Sequence, residues 1–217
     1  ENVGGNSSGN VRSRWFCTLH YNNNPSGWNG FTTLSDFYDK FDAADVRRSA
    51  DYNPMTSTSG IKAGFLVGQQ YDQNGVALKD RKGSPLSFTR EVAAIERGSN
   101  LEVTGIRVIK YPIDYTGGDN SDNDYVYFRL SDVLLMKAEA LLRSGGSATE
   151  AAGLVNDVRN RSNLPDLGTV SLDQLLEERG REFYWEGQRR TDLIRFGKFL
   201  DPWQEKPDDD VKNLLFP

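Results

Sequence analysis

The sequence predicts a mainly α chain of paired helices, with long irregular loops and a few short strands. Three observations predict it. Residues 127–199 carry apolar positions at helical spacing, interrupted at Ser144-Gly-Gly and Asn163-Leu-Pro by residues that end helices. Residues 1–125 are rich in Gly, Asn and Ser, which favour turns. Two runs within them, Ile61–Tyr71 and Leu101–Tyr111, have strand character. The chain therefore reads as a loop-rich region 1–125 that faces a ligand, a helical region 126–200 and a tail 201–217.

The length of 217 residues allows one large domain or two small ones. A net charge of -5 argues against a sequence-independent nucleic-acid binder, which carries a basic patch. No stretch of about 18 apolar residues is present, so no membrane-spanning helix is expected. The single cysteine, Cys17, excludes an internal disulfide and a thiolate metal cluster. The sequence opens on Glu1-Asn2-Val3-Gly4-Gly5, without a signal peptide. It stops on the apolar Leu214-Leu215-Phe216-Pro217, and reads as a piece of something longer.

In chain order, residues 1–14 are a Gly/Asn/Ser-rich lead. Trp15–Tyr21 alternates as a strand would, with Trp15, Cys17, Leu19 and Tyr21 on the core side. Residues 22–30, N-N-N-P-S-G-W-N-G, form a loop that carries Trp28. Phe31–Phe41 reads as a short helix capped by Ser35, and residues 50–60 as another loop, with Tyr52 in it. The helix over Tyr127–Arg143 carries a stripe of Leu130, Val133, Leu134, Ala138, Leu141 and Leu142. Ser147 or Thr149 caps the next helix, whose small face is Ala151, Ala152, Val155 and Val158. Ser171 and Gln174 form a capping box at the start of a third helix, with Leu172, Leu175, Leu176, Phe183 and Tyr184 inward. A last short helix spans about Arg189 to Phe199. Antiparallel helix pairs of this kind are the unit of tetratricopeptide-like arrays, although the spacing here follows their repeat of about 34 residues only loosely.

Four constellations could carry chemistry. Glu178, Glu182 and Glu186 lie four apart on one helix face, and paired carboxylates are what a glycoside hydrolase needs. Arginines interleave them at helical reach, so a structural ion network is the better reading. Asp119, Asp122 and Asp124 offer oxygen ligands for a hard cation, but they match no EF-hand pattern and read as solvated. The sole histidine, His20, joins no triad and reads as a satisfied structural residue. No phosphate-binding glycine motif is present, and neither a metal nor a cofactor is expected. The fourth constellation is the Trp28 loop. Sugar rings present C–H faces that stack on an indole, and asparagine amides both donate to and accept from hydroxyls. Trp28 with Asn23, Asn24 and Asn29, and Tyr52 from the neighbouring loop, form the candidate glycan site. Burial of Trp28 in the core is the competing reading.

Three segments together resemble one family: R-L-S-D-V-L-L-M-K-A-E-A (Arg129–Ala140), V-N-D-V-R-N-R (Val155–Arg161) and E-R-G-R-E-F-Y-W-E-G-Q-R-R-T-D-L-I-R-F-G (Glu178–Gly197). Their order and spacing are similar to the C-terminal signature of the SusD/RagB family, surface lipoproteins of the Bacteroidetes outer membrane. G-W-N-G-F (Gly27–Phe31), Asp36-Phe37, Asp45-Val-Arg47 and G-I-R-V-I-K-Y (Gly105–Tyr111) resemble the family's middle region. The resemblance implies the C-terminal part of one larger SusD-like domain. It implies a non-catalytic binder of glycan, or alternatively of peptide, that delivers an oligosaccharide to a SusC-like TonB-dependent transporter. It places the protein on the extracellular face of the outer membrane, held by an N-terminal lipid outside this sequence. It also makes the Glu–Arg signature scaffold and leaves ligand contact to loop aromatics, Trp28 first.

Overall fold

Trp15 and Leu19 enter the core four residues apart, as one turn of helix requires, and that spacing sets the first element. The computed structural model describes residues 13–92, 101–117, 121, 123–206 and 210. The chain divides into two compact units, residues 1–39 with 48–125 and residues 40–47 with 126–217.

In the first unit, α1 (Ser13–Phe16) opens a turn-rich segment where the alternation predicts a strand. The N–H groups of Thr18 and Leu19 both donate back to the Trp15 carbonyl at 3.0 Å, which curls the segment where a strand would extend it. The Thr18 hydroxyl serves two carbonyls, those of Trp15 at 3.0 Å and Val108 at 2.7 Å. The expected Phe31–Phe41 helix contracts to α2 (Ser35–Tyr38), and Leu34 rather than Ser35 occupies the N-cap. The segment read as a loop at 50–60 contains α3 (Met55–Ser59). The hydroxyls of Ser57, Thr58 and Ser59 bond back to the carbonyls of Pro54 and Met55, as Ser and Thr do within a helical turn.

The central sheet is β1 (Ser49–Ala50), β2 (Ala63–Leu66) and β5 (Arg107–Ile109), antiparallel in the order β1-β2-β5, with Phe65 opposite Val108. Between its strands lies a doubled hairpin with a period of eight residues. β3 (Gly68–Gln69) pairs with β4 (Ser87–Phe88). Above them Gln70, Leu78 and Leu86 close a ring: Leu78 N–H donates to the Gln70 carbonyl, Leu86 N–H to the Leu78 carbonyl, and Gln70 N–H to the Leu86 carbonyl. Asp72 and Asp80 fold the two tips identically, each accepting the backbone N–H groups two and four residues on.

The second unit is helical. α4 (Leu130–Arg143) and α5 (Ala148–Arg161) form the expected antiparallel pair. Ala151, Ala152, Val155 and Val158 are all buried, as their spacing predicts. α4 departs from the predicted stripe: Leu135 and Ala138 are buried, while Leu130 is 73% and Val133 53% exposed. Polar pairs occupy the inner face of its first turn. Ser131 accepts from Arg129, and Asp132 from Arg179 at 3.0 Å. α6 (Leu172–Phe183) starts with the predicted capping box, Ser171 accepting from Gln174 N–H and Gln174 from Ser171 N–H at 2.9 Å. Replacing Ser171 by Ala removes one of these bonds and should cost about 1 kcal/mol in urea unfolding. An unchanged midpoint would contradict that role. Gly180 lies mid-helix beneath the Arg189 guanidinium, which would stand 2.6 Å from a Cβ there and which donates to the Leu176 carbonyl at 2.9 Å. α7 (Arg189–Arg195) ends four residues before the predicted Phe199. No helix among the described residues is long and apolar enough to cross a membrane.

Candidate functional site

The segment 15–31 folds back on itself. Backbone N–H groups of Gly27, Trp28, Asn29, Gly30 and Phe31 donate to the carbonyls of His20, Phe16, Leu19 and, for the last two, Cys17. Gly27 is required because any Cβ there would overlap the Leu19 backbone. This arrangement pushes the next side chain outward. Trp28 is 61% exposed and Phe31 57% exposed, and the core reading of Trp28 is excluded. The indole rests edge-on against Phe16, with ring centroids 4.9 Å apart. That contact limits its rotation and leaves most of the ring to solvent.

The asparagines separate into two roles. Asn24 is exposed, and its carbonyl accepts from the Tyr115 hydroxyl at 2.7 Å. Asn23 and Asn29 were expected to meet sugar hydroxyls, and the structure turns both inward. Asn23 is buried, with Oδ1 accepting from His20 N–H at 2.8 Å. Asn29 donates Nδ2–H to the Glu102 carbonyl at 2.8 Å and accepts from Arg107 at 2.8 Å. Its φ of 54° is a left-handed conformation that Asn tolerates better than most side chains. An amide that can bind a ligand can equally brace a turn, and here the turn takes it.

Tyr52 is exposed on the neighbouring loop, its N–H donating to Thr56 Oγ1 at 2.9 Å. Tyr115 ties the two loops: its hydroxyl reaches the Asn24 carbonyl and also interacts with Ser59 at the end of α3, and burial raises its pKa. Sequence reasoning passed over Phe31 and Tyr115. The signal was there in both cases, an aromatic flanked by turn residues in N-G-F and D-Y-T-G-G.

Beneath the loop lies a charged cluster. His20 Nε2 stands 2.7 Å from Glu102, whose carboxylate also takes Arg81 N–H at 3.0 Å and Nε–H at 3.1 Å. Burial works to raise the Glu102 carboxyl, but the Arg81 and His20 hydrogen bonds outweigh it and hold the group below its usual range. The Arg107 guanidinium is buried against carbonyls and Asn29, 4.6 Å over the Phe88 ring. Burial pulls its pKa down to about 10. His20 is fully buried with both ring nitrogens engaged, so it has no nitrogen to offer a nucleophile.

Glu178 and Glu182 of α6, and Glu186 beyond its end, are ion-paired as expected, but besides Arg181 their partners Arg47, Arg129, Arg159 and Arg161 come from other segments rather than from helical spacing. Glu178 takes Arg181 at 2.7 Å and Arg159 at 3.1 Å, and lies 2.9 Å from Arg47. Burial would raise the Glu178 carboxyl, yet the charges of Arg47 and Arg181 hold it below the usual range. Glu182 meets Arg47, Arg129 and Arg161, and Glu186 meets Arg129 at 2.9 Å. A carboxyl held below its usual range, as Glu178 is, makes a poor proton donor for general-acid chemistry. Of the loop acids, Asp119 and Asp122 lie outside the described residues, as do residues 1–12 and the apolar end 214–217. Among the described residues no cluster of three acidic, histidine or cysteine side chains could hold a metal ion.

Comparison with known proteins agrees with this architecture. The starch-binding protein SusD of Bacteroides thetaiotaomicron is 47% identical over 79 residues, 36% of this chain and 14% of SusD. Surface glycan-binding protein A from Bacteroides uniformis superposes with a TM-score of 0.52 at 26% identity, covering 88% of this chain and 34% of that one. A SusD-like protein from Bacteroides fragilis gives a TM-score of 0.54 at 24% identity, over 84% of this chain and 40% of its own. The chain thus spans well under half the length of the relatives it matches. The SusD family model matches residues 1–213, and the chain belongs to that family.

Proposed function

We propose that this chain is the ligand-facing and scaffold portion of a non-catalytic, surface glycan-binding protein that passes oligosaccharide to a SusC-like TonB-dependent transporter at the outer membrane. The observation that carries it is the exposed Trp28 on a loop braced from beneath, in a chain whose relatives include a starch-binding protein and a surface glycan-binding protein. The indole stacks on a sugar ring while Phe31 extends the apolar surface. Asn24 and Tyr52 supply polar groups from the two loops that Tyr115 joins. Asn23 and Asn29 serve the site by holding the loop. Glu178, Glu182 and Glu186 are held by arginines, which supports a scaffold role for them over acid/base chemistry.

Replacing Trp28 by Ala removes the stacking platform without opening the core. By calorimetry with maltoheptaose and laminarihexaose, the affinity of the sugar that binds should fall roughly 10- to 100-fold, ~1.4–2.8 kcal/mol. Equal affinity in a variant with an unchanged urea midpoint would remove Trp28 from the site. Binding of a peptide library in preference to both sugars would replace the ligand class.

A further inference from the structure

We propose that His20 and Glu102 are positioning residues for Trp28, and that protonating His20 loosens the turn that presents the indole. The consequence for binding rests on the glycan reading above; the positioning itself does not.

The argument starts from connectivity. The His20 backbone carbonyl accepts from Asn23 N–H and Gly27 N–H, both at 3.1 Å. Its N–H donates to Asn23 Oδ1. Its imidazole Nδ1 accepts from Asn22 N–H at 2.9 Å. One residue therefore closes the 20–27 turn from both its main chain and its side chain. Glu102 holds the other flank, its carbonyl accepting from Asn29 Nδ2 and from Arg107 at 3.2 Å. Gly27 and Asn29 are the neighbours of Trp28, and the His20–Glu102 contact links their two anchors.

The same geometry fixes the tautomer. Nδ1 accepts a backbone N–H, so the ring hydrogen sits on Nε2 and donates to Glu102. A second proton would land on Nδ1 and face the Asn22 N–H, setting donor against donor. The groups around the ring are the Glu102 carboxylate, the Arg81 and Arg107 guanidiniums, and the Tyr21 and Phe88 rings. Burial, with the two arginines, disfavours the imidazolium, while Glu102 favours it; the balance lowers the imidazole pKa below 6.5. Above that value the ring is neutral in folded and unfolded chains alike and the Asn22 bond is intact. As pH falls below it the unfolded chain takes the proton first and stability drops. Once pH passes the lower folded value, the folded ring is charged and the bond is lost.

His20 is the only histidine, so an imidazole transition has one source. The test follows the indole N–H resonances of the four tryptophans in the 217-residue chain, with Trp28 assigned by its loss in Trp28→Phe. The titration runs from about pH 8 to about pH 5, where imidazole is the side chain that ordinarily titrates. The Trp28 resonance should shift with a single midpoint below 6.5, matching the midpoint of the His20 ring protons. His20→Gln should abolish the shift, and Glu102→Gln should move its midpoint to lower pH. A Trp28 resonance that stays flat, a midpoint different from that of the ring, or a midpoint unmoved in Glu102→Gln would overturn the proposal. If neither variant folds, the coincidence of the two wild-type midpoints decides. No sugar is present in this experiment, so its failure is separate from failure of the glycan reading.

Discussion

Arg179→Met should cost about 3–5 kcal/mol of stability, the largest single loss expected in this chain. Arg179 is buried and bridges Asp132 on α4 at 3.0 Å and Asp192 on α7 at 2.9 Å. Methionine fills much of the same volume, so the loss measures charge rather than a cavity. Asp192 keeps Arg195 at 2.7 Å, which makes Asp132 the carboxylate left most exposed to the penalty of burial. The contrast is Arg181→Met. That arginine serves Glu178, which retains Arg47 and Arg159, and its removal should cost no more than about 1 kcal/mol. Urea unfolding with an unchanged m-value reads both. If the two variants lose the same amount, burial is not what distinguishes these pairs.

Gly60→Ala should cost about 2–5 kcal/mol, because two penalties coincide. Gly60 ends α3 with φ at 77°, a left-handed conformation that costs an L side chain about 1–2 kcal/mol. A Cβ there would also overlap the Tyr71 carbonyl oxygen and come within 2.6 Å of the Asp72 carbonyl, and backbone cannot rotate aside as a side chain can. Gly75 separates the terms. Its φ is 75°, but nothing lies within 4 Å of the Cβ position. Gly75→Ala should therefore show only the conformational cost, about 1–2 kcal/mol, by the same urea measurement. Equal losses at the two positions would mean that the contact with residues 71–72 yields easily.

The helical unit was legible in the sequence and the loop unit much less so, for a reason visible in particular residues. Ser147, Ser171 with Gln174, and the Ala151–Val158 face act within one or two turns of chain, so local pattern carries their meaning. In the α6 network the Glu178–Arg181 pair lies at helical spacing and was legible, whereas Glu182 and Glu186 take Arg47, Arg129 and Arg161 from other segments, which no local pattern announces. The first turn of α4 was misjudged because its inner face is claimed by Arg179, 47 residues away in sequence. The same distance problem governs the site. Arg107 and Glu102 brace Asn29 across 78 and 73 residues, and no local pattern announces such partners. Whether Trp28 faced inward or outward depended on Gly27 packing against Leu19, a contact that exists only once the turn has closed.

The ring formed by Gln70, Leu78 and Leu86 bears on how the protein behaves in crowded company. Each of the three residues directs both its backbone N–H and its carbonyl into the ring. A conventional exposed hairpin offers an outer row of unpaired groups onto which another chain can add a strand. Here, at these three positions, the row has been folded onto itself. Closed in this way, these groups are not offered to a strand from another chain.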